Sequence, residues 1–145
     1  MADKLHLQIT TPERIIYADD VDEVIVPTPN GEIGVLPHHI PLMSLMSAGE
    51  LRIKKGSDTV LLAVSGGFVE VQPAKVVVLA DTAERAEEID EQRAEEARKR
   101  AESLLKEKRV DQEEFASLAA KMEKELARLR VIRKRRHGRS TEPRR

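Results

Sequence analysis

Cysteine is absent from this 145-residue chain, which removes disulfides, thiol chemistry and thiolate-built zinc sites. Aromatic residues are nearly missing: Tyr17, Phe68 and Phe115 are the only three. Recognition of single-stranded nucleic acid by base stacking needs several such platforms, so that mode is disfavoured. No apolar run approaches the ~18–20 residues that cross a membrane, and residues 1–6 hold no apolar signal-peptide core. The chain is therefore expected in a cytosol-like compartment, with any membrane association indirect. Glycine and proline are missing from one long stretch. Six of the seven glycines and six of the seven prolines lie at or before Pro73, and residues 74–137 contain neither. These residues punctuate turns, and their absence over a long charged segment favours helix.

Charge is abundant but unevenly placed. Residues 1–83 carry 6 Lys/Arg against 11 Asp/Glu, and residues 84–127 carry 10 against 14. Residues 128–145 carry 9 basic residues and one acid, Glu142. The overall charge of −1 thus hides a C-terminal net of +8, and a cationic end seeks an anionic partner.

The first part reads as short strands. Leu5, Leu7 and Ile9 alternate with His6, Gln8 and Thr10, the period of a strand with one buried face. Residues 21–26 form a second candidate closed by Pro27, and Pro29-Asn30-Gly31 is a turn. Further candidates are 33–36, 51–54, 60–64, 68–71 and 76–79, with Gly66-Gly67 read as a tight turn. This spacing predicts a β-sandwich or barrel. The second part starts near Asp81, which with Glu84 has the spacing of a capping box. Ala86, Ile89, Ala94, Ala97, Ala101 and Leu104 then form one helical stripe. After a break at 109–111, Asp111 with Glu114 offers a second capping box, and Phe115, Leu118, Met122, Leu126, Leu129 and Ile132 a second stripe. Two helices joined tightly make an antiparallel hairpin. The expected fold is an N-terminal β-sandwich over 1–83, a helical hairpin over 84–137, and a basic tail over 138–145. That tail and residues 133–136 are expected to be disordered. The first stripe is mostly alanine, so the hairpin gains little from burial and its docking should be marginal.

Catalytic signatures are missing. There is no phosphate loop of the G-x-x-x-x-G-K-[ST] type, and Ser65 does not sit in a G-x-S-x-G elbow. Of His6, His38, His39 and His137, the adjacent His38 and His39 cannot both face one metal in an extended strand, so no metal site is expected. The chain is expected to be non-enzymatic.

The stretch Gly31-Glu32-Ile33-Gly34-Val35-Leu36-Pro37-His38-His39-Ile40-Pro41-Leu42 is the most informative. Together with Ser65-Gly66-Gly67-Phe68-Val69-Glu70-Val71 and Val78-Leu79-Ala80-Asp81-Thr82-Ala83-Glu84 it closely resembles the epsilon subunit of F-type ATP synthases. Order, spacing and total length agree from about Leu5 to Ile132. The resemblance implies a β-sandwich with a helical hairpin, seated on the central stalk and turning with it. The implied partners are the gamma subunit, the ring of c subunits, and the alpha and beta subunits of F1. The implied role is to couple proton flow to ATP synthesis and to restrain ATP hydrolysis, without catalysing either.

By position, Gly31, Glu32 and His39 resemble the edge that meets the c-ring. Ile89-Asp90-Glu91-Gln92-Arg93-Ala94 resembles the family's I/L-D-x-x-R-A nucleotide-binding signature. On a helix, Asp90, Arg93 and Arg100 share a face, and two guanidinium forks suit a polyphosphate. Glu84, Ile89, Asp90, Arg93, Ala94, Arg100, Lys124 and Arg128 are thereby implied to bind ATP. Lys124 stands where the family has an arginine, keeping charge but losing the fork. No cofactor is required; ATP is implied as a regulatory ligand that favours the folded-back hairpin. The basic end, Arg128, Arg130, Arg133, Lys134, Arg135 and Arg136, resembles the family's inhibitory region, which reaches toward an acidic segment of the catalytic beta subunit. The implied location is peripheral, on the cytoplasmic face of a bacterial plasma membrane through the c-ring, with the plastid thylakoid as alternative. The rival reading from another class is a β-domain adaptor whose basic tail binds RNA phosphates.

Overall fold

The computed structural model describes residues 3–107 and 112–140. Eight strands come first: β1 Leu5–Thr10, β2 Ile15–Val21, β3 Glu23–Thr28, β4 Gly31–Val35, β5 Leu42–Lys55, β6 Asp58–Val71, β7 Lys75–Ala80 and β8 Ala83–Arg85. A single 3-10 turn, Ala86–Glu88, leads to α1 Glu91–Glu107 and α2 Gln112–Ser140. The strand order is β2-β1-β7-β6-β5-β3-β4, with β8 added to β6. β1 and β7 run parallel and the other neighbours antiparallel.

The architecture follows from β5 and β6, a hairpin of two 14-residue strands. Residues 67–71 of β6 pair with β7, whereas residues 62–64 pair with β8. On β5, residues 52–54 pair with β3. The long hairpin therefore serves two layers, one built with β7, β1 and β2 and the other with β3, β4 and β8. Alternate residues of both layers meet inside. Leu5, Leu7, Ile9, Val24, Val26, Leu51, Ile53, Leu62 and Val78 are all at 0% exposure, so this half has a dry apolar core.

Several sequence expectations are corrected here. Residues 60–64 and 68–71 are one strand, and Gly66-Gly67 lies inside it instead of forming a turn. Both glycines have positive φ, 121° and 127°, and a Cβ on Gly67 would lie 1.9 Å from the Leu79 carbonyl oxygen. Only glycine allows β7 to approach so closely. The second candidate strand splits at Asp22: Val21 ends β2, and β3 continues through Pro27 to Thr28. β5 pairs with β3 only at Glu23, Val24 and Ile25, so the missing N–H of Pro27 breaks no ladder bond there. The turn at Pro29 and Asn30 stands, closing the β3–β4 hairpin at Thr28 opposite Gly31.

The helical part does not begin at Asp81. Residues 83–85 are strand, paired with β6. Arg85 ties them down from the other side: its guanidinium lies 5.7 Å from the Tyr17 ring centre, and Nη2 donates to the Ile16 carbonyl at 3.4 Å. The helix cap is Asp90, whose Oδ1 accepts from the Arg93 backbone N–H at 3.1 Å. Helix α2 runs on through residues 133–136 to Ser140 instead of fraying there. Asp111, and with it the second capping box, lies outside the described residues, as do residues 141–145.

The helices fold back onto the β domain, α2 packing on β5, β6 and α1. Of the expected stripe, Leu129 and Ile132 are buried, Leu118, Met122 and Leu126 are half-buried, and Phe115 is exposed. Ala127 and Val131 are buried too, because the C-terminal half of α2 is covered on two sides. Val131, Ala63, Ala86, Leu61 and Ile89 form the small apolar seam between α2 and the β domain. Ala94 and Ala101 supply the buried face of α1.

Candidate functional site

The cationic end of α2 is fastened by carboxylates from β5, β8, the 3-10 turn and α1, and by one of its own. Arg128 is the most enclosed of its bases, with a side chain 16% exposed. Its Nη1 donates to Glu125 Oε2 at 2.7 Å and its Nη2 to Glu84 Oε1 at 3.3 Å. Arg128 Nε sits 2.6 Å from Glu84 Oε2, but its N–H is not aimed at an acceptor, so that contact is an ion pair and not a hydrogen bond. Lys134 Nζ donates to Glu50 Oε1 on β5 at 2.6 Å. Arg136 Nη2 meets Glu91 at 2.6 Å and Arg135 Nε meets Glu87 at 3.8 Å. Arg133 lines an open groove with Glu91, Gln92, Glu95, Glu96 and Lys99, and Arg130 is exposed. Of the six bases that the sequence singled out as an inhibitory end, four are thus ion-paired within the chain.

The eight residues implied for ATP fall into separate places. Glu84 and Arg128 are brought together, as are Asp90 and Arg93, whose Nε is 3.6 Å from Asp90 Oδ2. Arg93 is 84% exposed. Ile89 packs in the apolar seam and Ala94 is fully buried beneath the first turn of α1. Lys124 is half-buried on α2. Arg100 opens onto an interhelical cleft of about 300 Å³ lined by Ala97, Ala101, Leu104, Leu118, Lys121 and Glu125. That cleft offers two cations, Arg100 and Lys121, against one carboxylate. The larger groove, about 480 Å³, has Glu91, Glu95 and Glu96 in its wall, which opposes a triphosphate. Further along α1, Arg98 is bracketed by Glu95 at 2.7 Å and Glu102 at 2.8 Å. The hydrogen bond from Arg98 holds the Glu95 carboxyl below the usual carboxylate range, and Lys106 does the same for Glu102.

On β4, at the edge of the sheet, Glu32 Oε2 accepts from Arg52 Nη2 at 2.6 Å, so the expected docking acid already has a partner. Gly31, with φ 112°, opens β4. His39 Nδ1 lies 2.7 Å from the Ile40 carbonyl. The preceding residue, His38, takes a left-handed φ of 67°. Its N–H donates to the Pro73 carbonyl at 2.7 Å, and its ring meets Asp3 at 2.6 Å. The turn throws Leu36 and Ile40 outward, at 56% and 75% exposure.

The sequence reading missed an apolar surface row. Leu45, Phe68 and Leu79 are cross-strand neighbours on β5, β6 and β7, and each is more than half exposed. Met43, exposed at 70%, extends the row along β5. The signal was present in Val76-Val77-Val78-Leu79, apolar at every position, because a strand with one solvated face alternates. Contiguous exposed apolar surface marks a contact site. Among the described residues no group of three or more His, Asp or Glu side chains could hold a metal. No described helix is long and apolar enough to cross a membrane.

Comparison with known proteins completes the picture. Residues 4–86 match the family described as ATP synthase, Delta/Epsilon chain, beta-sandwich domain, and residues 87–133 the corresponding long alpha-helix domain. The ATP synthase epsilon chain of Dehalococcoides mccartyi is 50% identical over 133 residues, 92% of this chain and 95% of that one. The epsilon chain of Chloroflexus aggregans is 51% identical over 127 residues, 88% and 91% of the two chains. Among solved structures, a chain of the Euglena gracilis mitochondrial ATP synthase OSCP/F1/c-ring assembly aligns with TM-score 0.73 at 23% identity, covering 85% of this chain and 78% of that one. At that identity the likeness is one of fold.

Proposed function

Because this chain belongs to the ATP synthase delta/epsilon family, as an epsilon-type member of the holoenzyme, we propose that it is a non-catalytic subunit of the central stalk. In that role it couples proton translocation to ATP synthesis and restrains ATP hydrolysis through its C-terminal helices. The observation that carries the reading is the division of contact surfaces. The β domain presents the apolar row Leu45, Phe68 and Leu79, suited to permanent attachment. The cationic end of α2 is held by ion pairs, which are individually weak and reversible.

The row is assigned to the gamma subunit, since large exposed apolar residues favour a stable interface. The edge at Gly31, Glu32 and His39 is assigned to the c-ring. The chain of similar fold in the Euglena structure belongs to an OSCP/F1/c-ring assembly, which is consistent with a seat beside F1 and the c-ring. The chain would then sit at the cytoplasmic face of a bacterial plasma membrane, reached only through the ring. Released from Glu50, Glu84, Glu87 and Glu91, the basic residues of α2 would be free to meet an acidic segment of the beta subunit. The folded-back hairpin is therefore the permissive state. Truncation after Ala127, which removes these cations, is expected to raise ATP hydrolysis by the reconstituted complex several-fold; an unchanged rate removes the restraining role.

ATP is proposed as a regulatory ligand of the hairpin, with Arg100 and Arg93 as its phosphate contacts. Binding requires these side chains to converge from their present separate positions. Ligand at 100 times its dissociation constant would stabilise the folded-back state by about 2.7 kcal/mol. Titration calorimetry on the whole chain is expected to give heat at millimolar ATP and none in the Asp90→Ala/Arg93→Ala variant. Absence of heat in the unaltered chain removes ATP from the scheme. The rival RNA-binding adaptor draws no support from the family matched.

A further inference from the structure

The c-ring edge and the regulatory helix lie on different elements, yet four alternating charges connect them. Arg52 and Glu50 are two apart on β5 and so share a face. Arg52 is opposite Ile25 of β3, which is opposite Gly34 of β4, and Glu32 lies two residues from Gly34 on the same face. Arg52 reaches across β3 to give Nη2 to Glu32 at 2.6 Å. Its Nη1 is 3.4 Å from Glu50 Oε1. That same oxygen is the one that accepts from Lys134 Nζ at 2.6 Å. The middle pair is shielded, with Glu50 and Arg52 side chains 13% and 23% exposed, while Glu32 and Lys134 at the ends are about half exposed.

One carboxylate oxygen thus faces two cations, and the nearer cation is the one whose rival is occupied elsewhere. Glu32 draws the Arg52 fork away from Glu50, leaving Oε1 to Lys134. If Glu32 is taken by another donor, the Arg52 guanidinium can turn both of its Nη groups to Glu50. A paired fork on a carboxylate outcompetes a single ammonium. We propose that Glu32, Arg52, Glu50 and Lys134 form a charge relay through which capture of Glu32 by a hydrogen-bond donor on a partner loosens the grip of the β domain on the end of α2. The regulatory meaning of the relay rests on the docking role of Glu32 proposed above; the relay itself is internal to the chain. Docking at the sheet edge and release of the helix then become linked events, and linkage makes the effect reciprocal.

A chain of contacts is only spatial until coupling is measured. Hydrogen exchange on the full chain reads it directly. Glu32→Gln, which imitates a captured carboxylate, is expected to speed exchange of the α2 amides around Lys134 by about two- to five-fold, the span of a partly exposed ion pair. Amides of β5 and β6 should keep their rates. In an Arg52→Met background, which retains the packed stem, adding Glu32→Gln is expected to do nothing further. The same silence is expected in a Lys134→Met background, a half-exposed position where folding is not at risk. No acceleration by Glu32→Gln, or an undiminished acceleration in both backgrounds, overturns the relay. Failure of the docking role is read separately. A Glu32→Gln chain that binds isolated c-ring as tightly as the unaltered chain removes Glu32 from that interface and leaves the exchange result intact.

Discussion

In the β domain the inward row of β1 is Leu5, Leu7 and Ile9, each wholly buried. The inward row of α1 is Ala94 and Ala101. The first row removes three large side chains from water, each contributing about 1.5–3 kcal/mol; the second removes little more than methyl groups. The hairpin is held in addition by ion pairs: Arg128 with Glu84, Lys134 with Glu50, Arg136 with Glu91. Apolar burial is insensitive to what approaches from outside. Ion pairs can be exchanged for other ion pairs. The contrast divides the molecule into a half built to stay formed and a half whose contacts another charged surface can replace.

The contrast can be broken most forcefully at Gly67. Gly67→Ala places a methyl group 1.9 Å from the Leu79 carbonyl in a left-handed conformation. The expected loss is about 4 kcal/mol or more, read as a collapse of the thermal midpoint of the entire chain. A midpoint that barely moves would mean that the close approach of β7 to β6 at this pair is not needed by the fold. Next is Leu129→Ala, at a side chain only 2% exposed where α2 is docked. A buried leucine truncation costs about 2–5 kcal/mol. Here the loss should appear as faster exchange throughout the C-terminal half of α2, with β-strand protection kept. Equal loss of protection in both halves would show that they unfold as one unit and would erase the distinction.

Acid supplies the smallest and most graded effect. Hydrogen bonds from Lys55 and from the Asp20 backbone N–H hold Asp19 below the usual carboxylate range, and Lys4 and the Gly56 N–H do so for Asp22. Glu95 and Glu102 on α1 are lowered in the same way by Arg98 and Lys106. A carboxylate with a depressed folded value contributes stability above its unfolded value, near pH 4, and loses it as pH falls through the folded one. These groups lie at the surface, so the effect is modest. The β domain has its apolar core behind it, whereas α1 has alanines. Helical ellipticity is therefore expected to decline below about pH 4 before near-ultraviolet signals from the β domain change. Simultaneous loss would again weaken the contrast.

Much of this was legible in the chain. Leu5, Leu7 and Ile9 announced β1 because one face is wet and the other dry. Ile15-Ile16-Tyr17 did not announce β2, since an edge strand with Asp19 and Asp20 further along has no such alternation. The glycine pair at 66 and 67 reads as a turn because a turn and a close approach of two paired strands demand the same residue, and only the Leu79 carbonyl beside Gly67 tells them apart. Asp81 and Glu84 have the spacing of a cap, but pairing of Ala83 with Val64 on β6 outcompeted it, and Asp90 caps instead. The basic end was plain from composition. Its receivers Glu50, Glu87 and Glu91 were hidden, because which acid meets which base is decided by how the hairpin folds back. The apolar row was hidden for a similar reason: exposure belongs to a face, and faces exist only once strands are paired.

The long strands β5 and β6 also have a mechanical consequence. Each is a covalent rod of 14 residues shared by both layers, stitched to its twin from Leu42 opposite Val71 to Lys55 opposite Asp58. Shearing one layer over the other would require these rods to bend or their ladder to open along its length. Loop 36–41 feeds directly into one end of β5. A pull or twist applied at that loop therefore acts along the strand that both layers share, as load acts along a common beam.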